Sequence, residues 1–237
     1  MRVVMFGYQT WGHRTLQALL DSEHDVPLVV THPRSDHAYE KIWDDSVADL
    51  AAKHNVPVLL RNRPGDPELL ETLKSVEPDL IVANNWRTWL PPEIFDLPRH
   101  GTLNVHDSLL PTYAGFSPLI WALINGEPEV GVTAHRMDAD LDMGDVLLQR
   151  AVAVGGTAHQ MALDAQRVLD GRAHLGVVVD DENIRGARGV GGVRGARGRR
   201  RHTAAPGAGR VPGRPHLVRH RNELMHQRCQ TRLLKPS

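Results

Sequence analysis

Residues 1–31, MRVVMFGYQTWGHRTLQALLDSEHDVPLVVT, decide the fold. Arg2 to Phe6 is a short apolar run after one charge, the character of a strand buried on both faces. Gly7 to Gly12 reads as a turn. Leu16, Leu19 and Leu20 then fall at helical spacing, so Thr15 to Leu20 begins a helix with one apolar side. Val26 to Thr31 is apolar again. A strand, a helix and a second strand make the unit from which parallel sheets are built.

The same alternation continues outward from this start. Asp45 to His54 reads as a helix with Val47, Leu50 and Ala51 inward, and Val56 to Leu60 as a strand. Asp66 to Val76 is a helix carrying Leu69, Leu70 and Leu73, followed by the strand Leu80 to Ala83. Gly101 to Val105 is a strand and Ser117 to Asn125 a helix. Gly131 to Met137 and Val146 to Val154 close as strands. Such a chain is expected to be α/β: a doubly wound, mostly parallel open sheet covered on both faces. Gly7 and Gly12 do not complete a Gly-x-Gly-x-x-Gly fingerprint, so they read as tight turn and close packing rather than a dinucleotide site.

The formal charge of zero hides an asymmetry. Met1 to Val154 carries 12 basic and 22 acidic residues, whereas Gly155 to Ser237 carries 16 and 6. The single cysteine, Cys229, cannot form an internal disulfide, which fits a reducing compartment. The apolar run at the start is too short for a signal peptide, and no run of about 18 apolar residues marks a membrane span. A cytoplasmic protein away from membranes is expected.

The chemistry concentrates in residues 101–145, GTLNVHDSLLPTYAGFSPLIWALINGEPEVGVTAHRMDADLDMGD. Asn104 and His106 stand two apart, so on a strand they point the same way. At the carboxyl edge of an open α/β sheet both reach the ligand crevice. A carboxamide and an imidazole there can donate to the oxyanion of an attacked acyl carbonyl. Asp142 can orient the imidazole or accept a proton through water. Taken singly, each has a plain reading: an Asn turn-former, a satisfied His, an Asx-turn Asp. The remaining histidines lack metal-ligand spacing, so no metal is expected.

The run Asn104-Val-His106-Asp-Ser108-Leu109-Leu110-Pro111, with Gly115-Phe-Ser-Pro118, Gly131-Val-Thr-Ala-His135-Arg-Met-Asp138 and Asp142-Met-Gly144-Asp145, resembles the folate-dependent formyltransferases. The resemblance spans Met1 to Val154. It implies a Rossmann-like catalytic domain over residues 1–154, 10-formyltetrahydrofolate as co-substrate and no metal. It also implies Asn104, His106 and Asp142 as the catalytic trio. Ser108, Leu109, Leu110 and Pro111 resemble the family's folate-binding turn. Residues 83–90, with Trp86 and Leu90, resemble a second folate loop, in which Trp86 and Trp89 are either pocket wall or core. Asp138 matches a position near the pterin end.

The family formylates methionyl-tRNA, amino sugars and glycinamide ribonucleotide. Its tRNA-acting members carry a basic insertion after the second strand and a basic second domain. Here residues 31–50 set Arg34 and Lys41 against Asp36, Glu40, Asp44, Asp45 and Asp49. This acidic stretch predicts a small amine acceptor, an amino sugar or ornithine derivative, in preference to tRNA. Tyr39 and Trp43 either help cradle it or belong to a solvated helix face. Residues 155–182 are an uncertain continuation. Residues 183–237 are rich in arginine and glycine, and disorder is expected there. The tail reads as an RNA-binding arm, as a bland extension or, preferred, as GC-rich coding DNA translated in a slipped frame. Three functions follow: a formyltransferase, a truncated folate binder without turnover, and an RNA-associated protein acting through the tail.

Overall fold

The structure, a computed structural model, describes residues 1–35, 45–63 and 65–154. The elements run β1 (Val3–Gly7), α1 (Gln9–Leu20), β2 (Val29–Thr31), α2 (Val47–Lys53), β3 (Val58–Leu60), α3 (Pro67–Val76) and β4 (Leu80–Asn84). They continue with α4 (Pro92–Phe95), β5 (Thr102–His106), α5 (Pro118–Ile124), β6 (Glu129–Arg136) and β7 (Val146–Ala153). Among the described residues, seven strands join one sheet in the order β3-β2-β1-β4-β5-β6-β7. The first five are parallel; β6 and β7 run antiparallel to their neighbours. The doubly wound, mostly parallel expectation describes this sheet.

Alternation along β1 divides the core. Val3 and Met5 join Leu16 and Leu19 of α1 and Val47, Leu50 and Ala51 of α2 on one face. Val4 and Phe6 join Leu69 and Leu73 of α3 and Ile94 and Phe95 of α4 on the other. Local signals set the helix ends. Ser46 accepts the Asp49 N–H at the start of α2. Asp66 accepts the Glu68 N–H before Pro67 at the start of α3, so it caps the helix rather than opening it.

Strands β2 and β3 begin later than the sequence reading, at Val29 and Val58, and two helices depart from it further. Helix α1 starts at Gln9, not after a turn ending at Gly12. A Cβ on Gly12 would stand 2.7 Å from the Gly7 carbonyl carbon, so the two glycines let α1 lie directly on β1. The four-residue α4 was not foreseen; Pro92 opens it. The strand order reverses between β1 and β4, which places the switch-point crevice at their carboxyl ends. There Asn85 donates to the Tyr8 carbonyl over 3.2 Å, Arg87 donates to Gln9 Oε1 over 3.1 Å, and Arg87 stacks 4.7 Å over the Tyr8 ring.

Candidate active site

Strand β5 carries Asn104 and His106 to the carboxyl edge. Its antiparallel neighbour β6 sets His135 opposite Asn104 and Thr133 opposite His106. Asp142 returns from the loop between β6 and β7 with a left-handed backbone, φ 55°. Its carboxylate lies between two imidazoles, with Oδ1 3.6 Å from His135 Nε2 and Oδ2 3.7 Å from His106 Nδ1. Asn104 Nδ2 donates to Oδ1 over 3.3 Å, and the Gly115 N–H donates to Oδ2 over 2.8 Å. Burial opposes ionisation of Asp142. The adjoining His135 ring, the His106 charge and the Gly115 N–H outweigh it and hold the carboxyl below its ordinary range.

A carbonyl only accepts, so two partners settle where ring hydrogens sit. His106 Nε2–H donates to the Tyr113 carbonyl over 3.1 Å, which turns Nδ1 toward Asp142. His135 Nδ1–H donates to the Arg136 carbonyl over 2.9 Å. His135 Nε2 faces the Asp142 carboxylate and lies 3.1 Å from Asn104 Nδ2. A carboxylate flanked by two imidazoles and a carboxamide can hold a proton and stabilise an anionic oxygen. Next along the chain, burial pushes the Asp107 carboxyl up, against the pull of His106.

The structure therefore brings Asn104, His106 and Asp142 into one cluster. Gly144 keeps Asp142 there: any Cβ at that position would run into the Arg136 backbone carbonyl, so the loop lies flat on the end of β6. Asp138 opens the same loop and accepts the Asp140 N–H over 3.0 Å. Ser108 to Pro111 form a turn directly after β5, with a cis Leu110–Pro111 peptide. Ser108 Oγ donates to the Thr112 carbonyl over 2.7 Å. Leu109 rests on Gly131, and Leu110 is buried. Trp86 and Leu90 pack elsewhere, with Phe6 and Ile94. Trp86 stacks on His32 at 4.0 Å and meets Phe6 edge-on at 5.0 Å, while Trp89 is exposed. Tyr39, Trp43 and the whole basic tail lie outside the described residues.

Sequence reasoning assigned no role to His135, Thr133, Tyr113 or Gly115. For the first two a signal existed. Gly131, Thr133 and His135 alternate with Val130, Val132 and Ala134, a polar face on a strand whose other face is apolar. Tyr113 and Gly115 act through their backbones, which a sequence does not mark.

A carboxylate, two imidazoles and a carboxamide at the carboxyl edge of a doubly wound sheet form an arrangement able to act on an acyl carbonyl. The chain belongs to the formyltransferase family: the profile described as formyl transferase matches residues 1–174. A methionyl-tRNA formyltransferase from Geobacter sulfurreducens is 38% identical over 185 residues, covering 78% of this chain and 57% of that protein. One from Caldanaerobacter subterraneus is 38% identical over 187 residues, covering 78% and 59%. The chain thus spans under two thirds of the curated relatives it matches. A phosphoribosylglycinamide formyltransferase from Bacillus halodurans superposes with a TM-score of 0.64 at 21% identity, covering 76% of this chain and 96% of that one, and shows the shared fold.

These relatives correct one expectation. A small amine acceptor favoured over tRNA does not stand, because the relatives that match at this identity are methionyl-tRNA formyltransferases. The charge of one segment was a poor guide to the acceptor. Of its acids, Asp36, Glu40 and Asp44 lie outside the described residues, and the match leaves about two fifths of the Geobacter sulfurreducens protein uncovered.

Proposed function

We propose that this chain carries the formyl-transfer site of a methionyl-tRNA formyltransferase, moving the formyl group of 10-formyltetrahydrofolate to the amino group of methionine esterified to tRNA. The observation behind the chemistry is Asp142 set between His106, His135 and Asn104 at the end of β5. The acceptor rests on the names of the relatives. The residues suit such a donor. Groups able to act on an acyl carbonyl end β5, and the apolar Leu109-Leu110-Pro111 turn follows at once.

The donor supplies an activated formyl carbonyl. His106 Nε2–H, held at rest by the Tyr113 carbonyl, is the hydrogen that a carbonyl oxygen turning anionic takes over. Asn104 supplies a second donor once an Nδ2 hydrogen leaves Asp142. Asp142, an ionised carboxylate, balances charge on His106, takes the proton of the attacking amine through water and returns one to N10 of the folate, so that the C–N10 bond breaks and tetrahydrofolate leaves as the formamide forms.

The test is formyl transfer from labelled 10-formyltetrahydrofolate to methionyl-tRNA by the wild type, His106→Ala and Asp142→Ala. Each substitution is expected to slow transfer about 100- to 1000-fold, while a folate analogue still raises the melting temperature. Near-wild-type transfer by either variant, or none by the wild type, overturns the reading.

A further inference from the structure

One face of β6 carries the site in register. Gly131 accommodates Leu109, Thr133 meets the Ser108-to-Pro111 turn, and His135 meets Asn104 and Asp142. Thr133 stands in the middle, fully buried. Its Oγ1 donates to the Ser108 carbonyl over 2.7 Å and accepts the Leu110 N–H over 3.1 Å. Gln149, directly opposite on β7, donates from Nε2 to the same Oγ1 over 2.9 Å and to the Leu110 carbonyl over 2.7 Å.

A hydroxyl has one hydrogen and two lone pairs, and here all three are used. Each direction is forced. The Leu110 N–H can only donate, the Ser108 carbonyl can only accept, and the remaining lone pair takes a Gln149 hydrogen. Gln149 cannot turn over, since Oε1 would then face the Leu110 carbonyl. The network thus has one arrangement, and it fixes the backbone of a turn that begins two residues after His106.

We propose that Thr133, supported by Gln149, is a positioning residue for the formyl donor: the pair sets the Ser108-to-Pro111 turn at the height and angle that receive the folate. This rests on the functional reading above. It assigns donor affinity to two side chains on the β6–β7 hairpin that face the turn.

The experiment compares wild type, Thr133→Val and Thr133→Ser. KM is measured for 10-formyltetrahydrofolate and for methionyl-tRNA, with kcat and melting temperature. Calorimetry gives the Kd of 10-formyl-5,8-dideazafolate. Valine keeps the shape but leaves the Leu110 N–H and Ser108 carbonyl unpaired. Donor KM and Kd are expected to rise on the order of tenfold, with acceptor KM changed less than about twofold. Serine, which keeps the hydroxyl, restores both. Donor KM and Kd unchanged in Thr133→Val overturn the inference, as does an equal loss in Thr133→Ser. Should Thr133→Val fail to fold, Gln149→Leu removes only the outer bonds from an exposed position. It is expected to raise donor KM about threefold, and an unchanged value overturns the inference. A wild type that binds no analogue overturns the functional reading and this inference with it; equal binding by wild type and valine variant overturns this inference alone.

Discussion

Strands β1 and β6 are both buried on two faces, yet they are specified by different forces. Every residue of β1 is buried and apolar or glycine, and contact with helices on either side holds it. Strand β6 buries Val130 and Ala134 on one face and Thr133 and His135 on the other. Packing is tolerant of direction. Hydrogen bonds are not, since a buried polar group without its partner costs about 1–3 kcal/mol. The chain therefore builds its frame from the first kind of strand and aims its chemistry with the second.

The largest expected effect tests the frame. Phe6→Ala removes a fully buried ring against Trp86 and should cost about 3–5 kcal/mol of stability, read by denaturant unfolding. Formyl transfer per folded molecule should hold. A comparable fall in kcat at unchanged stability would break the division between the two strands.

Next comes Gly144→Ala, which loads the aimed side. The methyl meets the Arg136 carbonyl, so the loop must lift and withdraw Asp142. Transfer should slow about tenfold or more, because small displacements of a catalytic group are costly. The expected destabilisation is only about 1–3 kcal/mol. Unaltered kcat would show that the loop absorbs the methyl without moving the carboxylate.

The smallest effect is in acid. The Asp142 carboxyl titrates below its ordinary value of 3.8 in the folded chain. Its stabilisation is therefore complete above that value and is lost as pH falls through the depressed one. Melting curves of wild type and Asp142→Asn should converge in acid and separate above it. A gap that widens on acidification contradicts the ion-pair account.

What the sequence made legible follows the same division. The apolar runs of β1 and β4 and the leucine spacing of α3 are patterns of burial, and burial is written in composition. Asn104, His106 and Asp142 were legible as a linked motif, and the structure clusters them. The start of α1 was not, because a glycine chosen for close approach looks the same as one chosen for a turn. Thr133 and Gln149 were hidden for another reason. Their partners are backbone atoms of a distant turn, and cross-strand register is not visible in a linear chain. Leu90, which the resemblance sets in a second folate loop, belongs to the core cluster that also holds Ile94.

The Tyr113 carbonyl that accepts from His106 and the Gly115 N–H that donates to Asp142 both belong to the segment after the Ser108-to-Pro111 turn. At rest the site is its own ligand. A substrate entering it does not add hydrogen bonds to bare groups; it trades for bonds already made. A molecule of the right size that lacks the matching oxygen or nitrogen breaks the trade and leaves His106 or Asp142 unpaired. Selectivity of this kind is stored in the unliganded protein, as a cost charged to the wrong guest before any reaction begins.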